Sequence, residues 1–375
     1  MAGLYLHIPF CKQACHYCDF HFSTDDRRMP ELCKAIVDEL TLQTNYLTEP
    51  VSTLYLGGGT PSLLKHHEID TLFKAIQTNF TMTSDTEFTL EANPDDLSKE
   101  KLKGFREVGI NRLSIGIQSF DQSILKFLNR AHDDITAKQC LDDVREAGFV
   151  NVSIDLIYAI PGLSNRAWTE TLKQAIQFSP EHISSYALTI EHKTVFGNWS
   201  KRGKLQPMDE ESAAEQFEIL MDVLGNEGYE HYEISNFCKP GFHSKHNSSY
   251  WKQSPYLGIG PSAHSYDGTS RQSNVRNNEA YLRSIGQGII PFEREILTLE
   301  NKINEYILTT LRTMWGCDLL YLKQYLNDDL FQRRHEYISQ IEAQGFVTLE
   351  SGKLTLTRKG KLLADKIIED LIVGN

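Results

Sequence analysis

Short apolar segments alternate with helical segments through the first 235 residues of this 375-residue chain, and this alternation constrains the fold most strongly. Apolar residues in the helical segments recur every three or four positions, as on the buried face of an amphipathic helix. Strands that alternate with helices form βαβ units and a parallel sheet. The predicted strands are Leu4–Ile8, Leu54–Leu56, Glu87–Glu91, Arg112–Ile117, Val152–Ile157, His182–Leu188 and Tyr229–Ile234. The predicted helices are Glu31–Leu47, His66–Asn79, Lys99–Val108, Ile135–Ala147, Ala167–Phe178 and Asp209–Asn226.

Six or seven such units predict a full or a partial (β/α) barrel in residues 1–235. In either form, ligands bind at the carboxyl ends of the parallel strands. Thiol, hydroxyl and carboxylate side chains fall at those ends. Cys11 follows the first predicted strand, Thr60 follows the second and Glu91 ends the third. The sequence therefore predicts a functional site at this end of the barrel.

The rest of the chain has a different character. Residues 236–293 are rich in Gly, Ser, Asn, Pro, His and aromatic residues and show no sustained period, which predicts an elaborated loop region that covers a site. Residues 294–375 read as helices, a hairpin and a final helix, which predicts a helical, winged-helix-like domain. The fold class is α/β, with this third segment appended.

Charge and hydropathy exclude several functions. The formal net charge of −12 argues against a broad nucleic-acid-binding surface, which would need a basic face. No apolar segment approaches the roughly 20 residues that a membrane-spanning helix needs. The first residues match neither a secretory signal nor a transit peptide, so we expect a cytoplasmic protein without a membrane anchor.

Three of the seven cysteines, Cys11, Cys15 and Cys18, are crowded together. An odd number of cysteines is a poor basis for a disulfide framework. Spacing of three and then two residues suits thiolates that surround one corner of a [4Fe–4S] cluster, and three thiolates leave one of four irons open to another ligand. The alternative is a zinc site in which His16 or His21 supplies the fourth ligand.

The stretch from Tyr5 to Phe20, which contains this cysteine motif, resembles the oxygen-independent coproporphyrinogen III oxidase family of radical-SAM proteins. The resemblance extends over nearly the whole chain. In this family the open iron binds S-adenosylmethionine (SAM), and an electron from the cluster cleaves it. The resemblance therefore implies a [4Fe–4S] cluster, SAM, reductive SAM cleavage and an electron donor of the flavodoxin or ferredoxin type.

The resemblance also assigns a set of SAM-binding residues. The glycine motif would approach the SAM amino group, two carboxylates and a glutamine would face the ribose and methionine, and an arginine would pair with the SAM carboxylate. Two tyrosines would pack on SAM or on the cluster, although an ordinary core role is equally open for them. These residues are Gly58, Gly59, Thr60, Glu91, Asp155, Gln118, Arg130, Tyr5 and Tyr17.

Residues His246 to Trp251 match the HNxxYW motif of the heme-binding branch of this family. The match implies heme contacts by His246, Asn247, Tyr250 and Trp251. An imidazole can ligate heme iron, and aromatic rings can lie against a porphyrin. Nearby His243 and Cys238 are rivals for the iron, and their spacing with His246 also leaves a zinc site open.

Two departures bear on the choice between the branches of this family. The oxidase branch has a further cysteine where this chain has Phe20, and it has a substantial segment before the cluster, which here begins at residue 11. Both favour a heme chaperone that serves acceptors such as respiratory hemoproteins and lacks coproporphyrinogen oxidase activity. Coproporphyrinogen III oxidation is the alternative, and a radical enzyme with another substrate is a third. Peripheral recruitment to a membrane by an acceptor and a homodimer are both compatible with the sequence.

Overall fold

The computed structural model describes residues 2–374, in which a twelve-stranded sheet and a three-stranded sheet are surrounded by helices. The strands are β1 (Ala2–Ile8), β2 (Val51–Gly58), β3 (Met82–Ala92), β4 (Arg112–Gln118), β5 (Val152–Tyr158), β6 (His182–Ala187), β7 (Glu230–Glu233), β8 (Asn236–Cys238), β9 (Tyr256–Ile259), β10 (His264–Tyr266), β11 (Ser270–Asn274), β12 (Phe292–Ile296), β13 (Cys317–Asp318), β14 (Val347–Glu350) and β15 (Lys353–Leu356). The helices are α1 (Met29–Leu42), α2 (His66–Asn79), α3 (Lys99–Val108), α4 (Gln122–Phe127), α5 (Asp134–Glu146), α6 (Asn165–Gln177), α7 (Val195–Lys201), α8 (Glu210–Asn226), α9 (Lys245–Trp251), α10 (Asn278–Ile285), α11 (Leu299–Leu311), α12 (Leu319–Tyr325), α13 (Leu330–Arg333), α14 (His335–Ala343), α15 (Arg358–Lys361) and α16 (Ala364–Leu371).

The predicted α/β fold with a parallel sheet is confirmed. Strands β1 to β6 lie side by side in chain order, and every neighbouring pair is parallel. Helices occupy each connection between them, as is usual for crossovers between parallel strands. The predicted seventh strand is real but does not extend the parallel run, because β7 pairs antiparallel with β8, which in turn pairs antiparallel with β6.

The two faces of the barrel strands differ in polarity. Residues such as Leu54, Leu90 and Ile115 alternate along the strands and belong to the main apolar core, which includes residues of the surrounding helices. The other face carries buried polar groups, although buried parallel strands are usually apolar on both faces. These polar residues are Thr53, Glu87, Thr89, Arg112, Ser114, Ser153, His182 and Ser184. The barrel therefore has a polar interior suited to binding chemistry.

Residues 236–293 contain more regular structure than the predicted loop region. Strand β9 pairs parallel with β1, and β10, β11 and β12 follow it antiparallel, so this segment extends the sheet beyond β1. Helices α9 and α10 belong to the same segment. The strands are three to five residues long, too short to give a period that sequence reasoning can detect.

A buried carboxylate joins this added sheet to the barrel. Glu39 of α1 has no exposed surface and accepts hydrogen bonds from Gly260 N at 2.8 Å, Asn274 Nδ2 at 2.7 Å and Tyr281 Oη at 2.6 Å. Burial raises the pKa of Glu39. Since a buried carboxylate is tolerated when its oxygens are hydrogen-bonded, this residue fixes β9, β11 and α10 against α1.

The C-terminal segment has an apolar core of its own, formed by residues between Ile303 and Leu371. Its sheet has the order β13-β15-β14, and helices surround it as the predicted C-terminal helical domain requires. The helical stretch before the hairpin is interrupted at Arg334, so that it forms two short helices, α13 and α14. Within residues 2–374, no helix is long and apolar enough to cross a membrane.

Candidate functional site

The loop that carries the three cysteines follows β1 and is fastened to the end of β2. Gly59 N donates to Ile8 O at 2.9 Å, and Thr60 N donates to Phe10 O at 2.7 Å. Cys11 N donates to the carbonyl of Ser23 at 2.9 Å, so the loop returns on itself. The cysteines therefore lie at the carboxyl ends of the parallel strands, as predicted from the sequence.

This fastening requires a glycine at position 59. A Cβ atom at Gly59 would lie 2.6 Å from Phe10 O and 2.8 Å from Ile8 O, closer than real contacts allow. The preceding Gly58 has a φ of 108°, which a residue with a side chain rarely adopts. The glycine motif thus lets the backbones of the two loops approach to hydrogen-bonding distance in the segment that leads to Cys11.

Cys11, Cys15 and Cys18 are partly buried and form no disulfide. Burial raises the pKa of Cys11 to about 11 and raises that of Cys18, so thiolates here need a bound cation. Within residues 2–374, one group of three His, Cys, Asp or Glu side chains has its ligand atoms within 4.8 Å of one another. That group contains none of these three cysteines. The three thiols are thus more widely spread than the ligands of a single zinc ion.

The two histidines considered as a fourth zinc ligand have other contacts. His16 Nδ1 lies 3.0 Å from Phe127 O, and its ring packs edge-on against Phe196 and Trp199. His21 Nε2 lies 2.7 Å from Asn278 Oδ1. Neither histidine joins the cysteines in a group of metal ligands in residues 2–374. The geometry therefore favours a cluster over zinc.

A chain of hydrogen bonds connects the cysteine loop to three strand ends. Arg130 Nη1 lies 3.3 Å from Cys15 Sγ, and Arg130 Nη2 donates to Gly116 O at 2.8 Å. The same guanidinium donates to Asn93 Oδ1, and Asn93 Nδ2 donates to Thr60 Oγ1 at 3.1 Å. Arg130 Nε is buried without a hydrogen-bond partner, so the arginine keeps one donor for a ligand.

Two carboxylates face the interior of the barrel near this chain. Glu91 accepts hydrogen bonds from Gly58 N at 3.1 Å and from Tyr55 Oη at 2.7 Å, and Asp155 accepts one from Ser114 Oγ at 3.3 Å. Burial raises the pKa of Glu91 to about 7 and that of Asp155 to about 6, and Asp155 adds to the increase at Glu91. Both groups therefore titrate near neutral pH.

The remaining predicted SAM residues lie around the same end. Gln118 ends β4 with a φ of 65°, a strained conformation of the kind found at functional sites. Tyr17 Oη lies 3.4 Å from Arg130 Nη1. Tyr5 is deeper in the barrel, where its hydroxyl bonds to His7 Nδ1 at 3.0 Å. Tyr17 therefore contacts the arginine directly, whereas Tyr5 belongs to the layer below it.

The HNxxYW motif forms helix α9, which closes the opposite end of the barrel. His246 is 1% exposed, and its Nδ1 lies 2.8 Å from Thr53 Oγ1 near the start of β2. Its Nε2 lies 2.8 Å from Tyr250 Oη, and its ring stacks on Tyr55 at a centroid distance of 4.9 Å. Burial lowers the pKa of His246 to about 3. The histidine is neutral and enclosed.

Helical spacing divides this motif into two faces. His246 and Tyr250, four residues apart, point into the barrel, whereas Asn247 and Trp251 form a second pair that is partly exposed. Both ring nitrogens of His246 are hydrogen-bonded in this arrangement, to Thr53 and to Tyr250. The contact of His246 with heme, whether through the iron or not, therefore stays a prediction that requires α9 to move. The amphipathic placement of α9 is a feature that the motif alone did not reveal.

Sequence reasoning missed two residues of the site. Asn93 links Thr60 to Arg130, and its position two residues after Glu91 on the same face of the chain was the available signal. Arg112 is 1% exposed, and its Nε and Nη1 atoms have no hydrogen-bond partner. Its charge opposes the increase in the pKa of Asp155. An arginine that starts a strand of alternating polar residues could have been recognised as interior.

Comparison with known proteins gives consistent matches over the whole length. The Radical SAM superfamily matches residues 5–175, and the HemN C-terminal domain matches residues 297–363. The chain is 34% identical over 371 residues to the heme chaperone HemW of Bacillus subtilis, with 98% of each chain covered. It is 31% identical over 377 residues to HemW of Escherichia coli, with 98% and 97% covered. The solved structure of coproporphyrinogen III oxidase (HemN) from Escherichia coli matches with a TM-score of 0.86 at 23% identity, over 99% of this chain and 90% of that chain.

Proposed function

Because this chain belongs to the HemW family of radical SAM proteins, we propose that it is a heme chaperone. In this proposal it binds heme and a SAM-ligated [4Fe–4S] cluster, and it transfers heme to acceptor hemoproteins. The observation that carries the proposal is full-length identity of 30% or more to proteins named heme chaperone HemW. The similarity to HemN, at 23% identity, supports the fold alone.

Phe20 supports the chaperone over the oxidase. The oxidase branch is expected to place a cysteine at this position, and a phenyl ring cannot supply a thiolate. Phe20 is 72% exposed at the edge of the cysteine loop, so it does not serve as a core residue either. An exposed aromatic side chain beside the cluster loop offers apolar surface instead of a further ligand.

The residues present fit the cluster and SAM. The loop after β1 carries three free thiols, and the glycine motif places backbone without side chains close to that loop. Arg130 Nε is a buried donor without a hydrogen-bond partner. When bound, the cluster and SAM supply an electron and a cleavable carbon–sulfur bond. We infer that Gly58, Gly59 and Thr60 receive the SAM amino group and that Arg130 orients the SAM carboxylate.

We further infer that Glu91, Gln118 and Asp155 orient the ribose, with Tyr5 and Tyr17 packing beside them. Arg112, below the carboxylates, supplies a positive charge that opposes the burial-driven increase in the pKa of Asp155 and of Glu91. Above these pKa values both carboxylates are in the ionised acceptor form that hydroxyl donors need.

We expect SAM affinity to increase between pH 6 and pH 8. In the ligand-free protein the pKa of Asp155 is about 6 and that of Glu91 is about 7, and only the ionised forms accept hydrogen bonds with both oxygens. Affinity is therefore lower while the carboxylates are protonated and increases as the pH passes through these two values. Anaerobic calorimetry of SAM binding at pH 6, 7 and 8 measures the effect.

The matched variant for this experiment is Glu91→Gln, which keeps the size of the side chain and removes its titration. It should bind SAM more weakly at pH 8 and show a smaller pH dependence. Glu31→Gln, on the outer surface of α1, should behave like the unmodified protein. An affinity that is constant or that falls from pH 6 to pH 8 would exclude ionised Glu91 and Asp155 as SAM ligands.

We propose that heme contacts the HNxxYW motif, with Asn247 and Trp251 available in the closed arrangement and His246 and Tyr250 available only after α9 leaves the barrel end. Several bonds hold α9 in place, including one between Lys245 Nζ and the Asp85 carboxylate at 2.8 Å. Glu87 accepts from the backbone nitrogens of Lys245 and His246, and Thr53 contacts the His246 ring. If heme binds the open state, its apparent affinity is the affinity of that state multiplied by the fraction of molecules that are open.

Hemin titration of two variants tests this proposal. His246→Ala should weaken binding from about one hemin per chain and shift the Soret band, because a ligand to iron is lost. Thr53→Val should strengthen binding by about fivefold, because loss of one hydrogen bond, on the order of 1 kcal/mol, favours the open state. Unchanged affinity and an unchanged Soret band in His246→Ala would remove His246 from the heme site.

The oxidase alternative is tested in the same preparation. With SAM, a reductant and coproporphyrinogen III, we expect no protoporphyrinogen, and turnover would contradict the chaperone assignment.

The proposal also requires an electron donor of the flavodoxin or ferredoxin class and an acceptor such as a respiratory hemoprotein. A homodimer, recruitment to a membrane by an acceptor and a cytoplasmic location belong to the same proposal.

A further inference from the structure

Three side chains of different chemistry converge at the end of the sheet formed by β7 and β8. Glu230 begins β7, Cys238 ends β8, and His243 lies in the turn that leads to α9. One ligand atom from each of the three lies within 4.8 Å of the other two. The pairing register explains two of the three positions, because Glu230 and Cys238 are direct antiparallel partners and therefore share a face of the sheet.

The ligand atoms are close together, but the histidine nitrogen is not hydrogen-bonded. His243 Nε2 lies 3.2 Å from Glu230 Oε2, which is ion-pair distance if the histidine is protonated, yet this buried nitrogen makes no hydrogen bond of acceptable geometry. The ring is held edge-on against Tyr232 at a centroid distance of 4.8 Å and lies 5.8 Å from Trp315. The imidazole ring is therefore packed between aromatic side chains, and its Nε2 atom faces the Glu230 carboxylate without a hydrogen bond.

The donor set matches one class of ion. A thiolate sulfur, an imidazole nitrogen and a carboxylate oxygen are the ligands that zinc takes in proteins. Softer ions such as Cu(I) prefer sulfur ligands, and harder ions such as Mg²⁺ and Ca²⁺ prefer oxygen ligands. Cys238 has no exposed surface, whereas the Glu230 and His243 side chains are 39% and 28% exposed. An ion can enter from the exposed side and meet the buried sulfur.

We propose that Glu230, Cys238 and His243 bind a divalent ion of the zinc class, with water in a fourth position. The sequence spacing suggested Cys238, His243 and His246 as zinc ligands, but His246 is hydrogen-bonded inside the barrel and Glu230 takes its place. The ion fastens the β7–β8 hairpin to the turn before α9. Trp315, from the C-terminal segment, packs on the same histidine. This inference goes beyond the proposed heme function and does not depend on it.

Metal analysis of the full-length protein, with its iron–sulfur cluster reconstituted, tests the site. After incubation with zinc alone and removal of excess ion, we expect about one zinc and about four irons per chain. Cys238→Ser and His243→Ala should reduce zinc affinity by more than the roughly 10- to 100-fold that an outer-shell change costs, while iron stays constant. Glu230→Gln, at a partly exposed position that needs no core rearrangement, should weaken zinc binding and leave the fold intact.

Cys317→Ser is the matched control, because Cys317 is a fully buried cysteine in the separate C-terminal core. It should keep its zinc. X-ray absorption at the zinc edge should give one sulfur neighbour with nitrogen and oxygen. Three sulfur neighbours would place the zinc in the cysteine loop and overturn the proposal. So would unmodified protein that retains no zinc, or zinc affinity unchanged in both Glu230→Gln and Cys238→Ser.

Discussion

Replacement of Cys15 with Ala is expected to reduce the iron content of the anaerobically reconstituted protein from about four ions per chain to near zero. A [4Fe–4S] cluster with one open iron is held by three thiolates. Loss of one thiolate is therefore expected to prevent binding of the whole cluster. Cys15 also lies 3.3 Å from Arg130 Nη1, so the variant leaves this buried guanidinium with one contact fewer. The brown colour should disappear, and SAM binding should disappear with it.

Iron analysis and the visible absorption spectrum measure this result. Cys33→Ala is the control, because Cys33 is buried in α1 and belongs to the apolar core. It should retain iron and colour. A Cys15→Ala protein that kept full iron and an unchanged spectrum would show that the cluster has other ligands, and the assignment of the loop would then be wrong.

Gly59→Ala should prevent cluster assembly although all three cysteines remain. The added methyl group would lie 2.6 Å from Phe10 O and 2.8 Å from Ile8 O, and both are backbone atoms of the segment that leads to Cys11. Backbone cannot yield as a flexible side chain can, so overpacking of roughly 3 kcal/mol or more is expected. The loop would separate from β2 and lose the arrangement of its thiols.

The matched control for this variant is Gly225→Ala. A Cβ at Gly225 in α8 would meet nothing within 4 Å, and alanine is the better helix former by about 1 kcal/mol. This variant should assemble a normal cluster with equal or higher thermal stability. Iron content and SAM binding in Gly59→Ala equal to those of the control would show that the close approach of the two loops is not required.

The βα alternation was sufficient to predict the barrel because the strands of the first six units are long and apolar on one face. It was insufficient for residues 236–293, where β8 to β12 are short and are stabilised by pairing with β1 and β6 and by the buried Glu39. Such strands depend on tertiary contacts between distant residues. Single-sequence periodicity therefore cannot detect them.

The candidate site divides in the same way. Cys11, Glu91 and Gln118 could be placed from the sequence because each follows or ends a predicted strand, and the parallel topology brings these ends together. The network through Asn93 and Arg130 could not, since it depends on where two side chains from separate connections meet. The burial of His246 also required the structure, because a seven-residue helix can place either face inward.

Electron paramagnetic resonance of the reduced, oxygen-protected protein, recorded with and without SAM, tests the central claim most directly. The claim is that three thiolates leave one iron open and that SAM binds to it. We predict a [4Fe–4S] signal whose g values change when SAM is added, because the coordination of that iron changes. A preparation that contains only zinc in the cysteine loop, or a [4Fe–4S] signal that is identical with and without SAM, would contradict it.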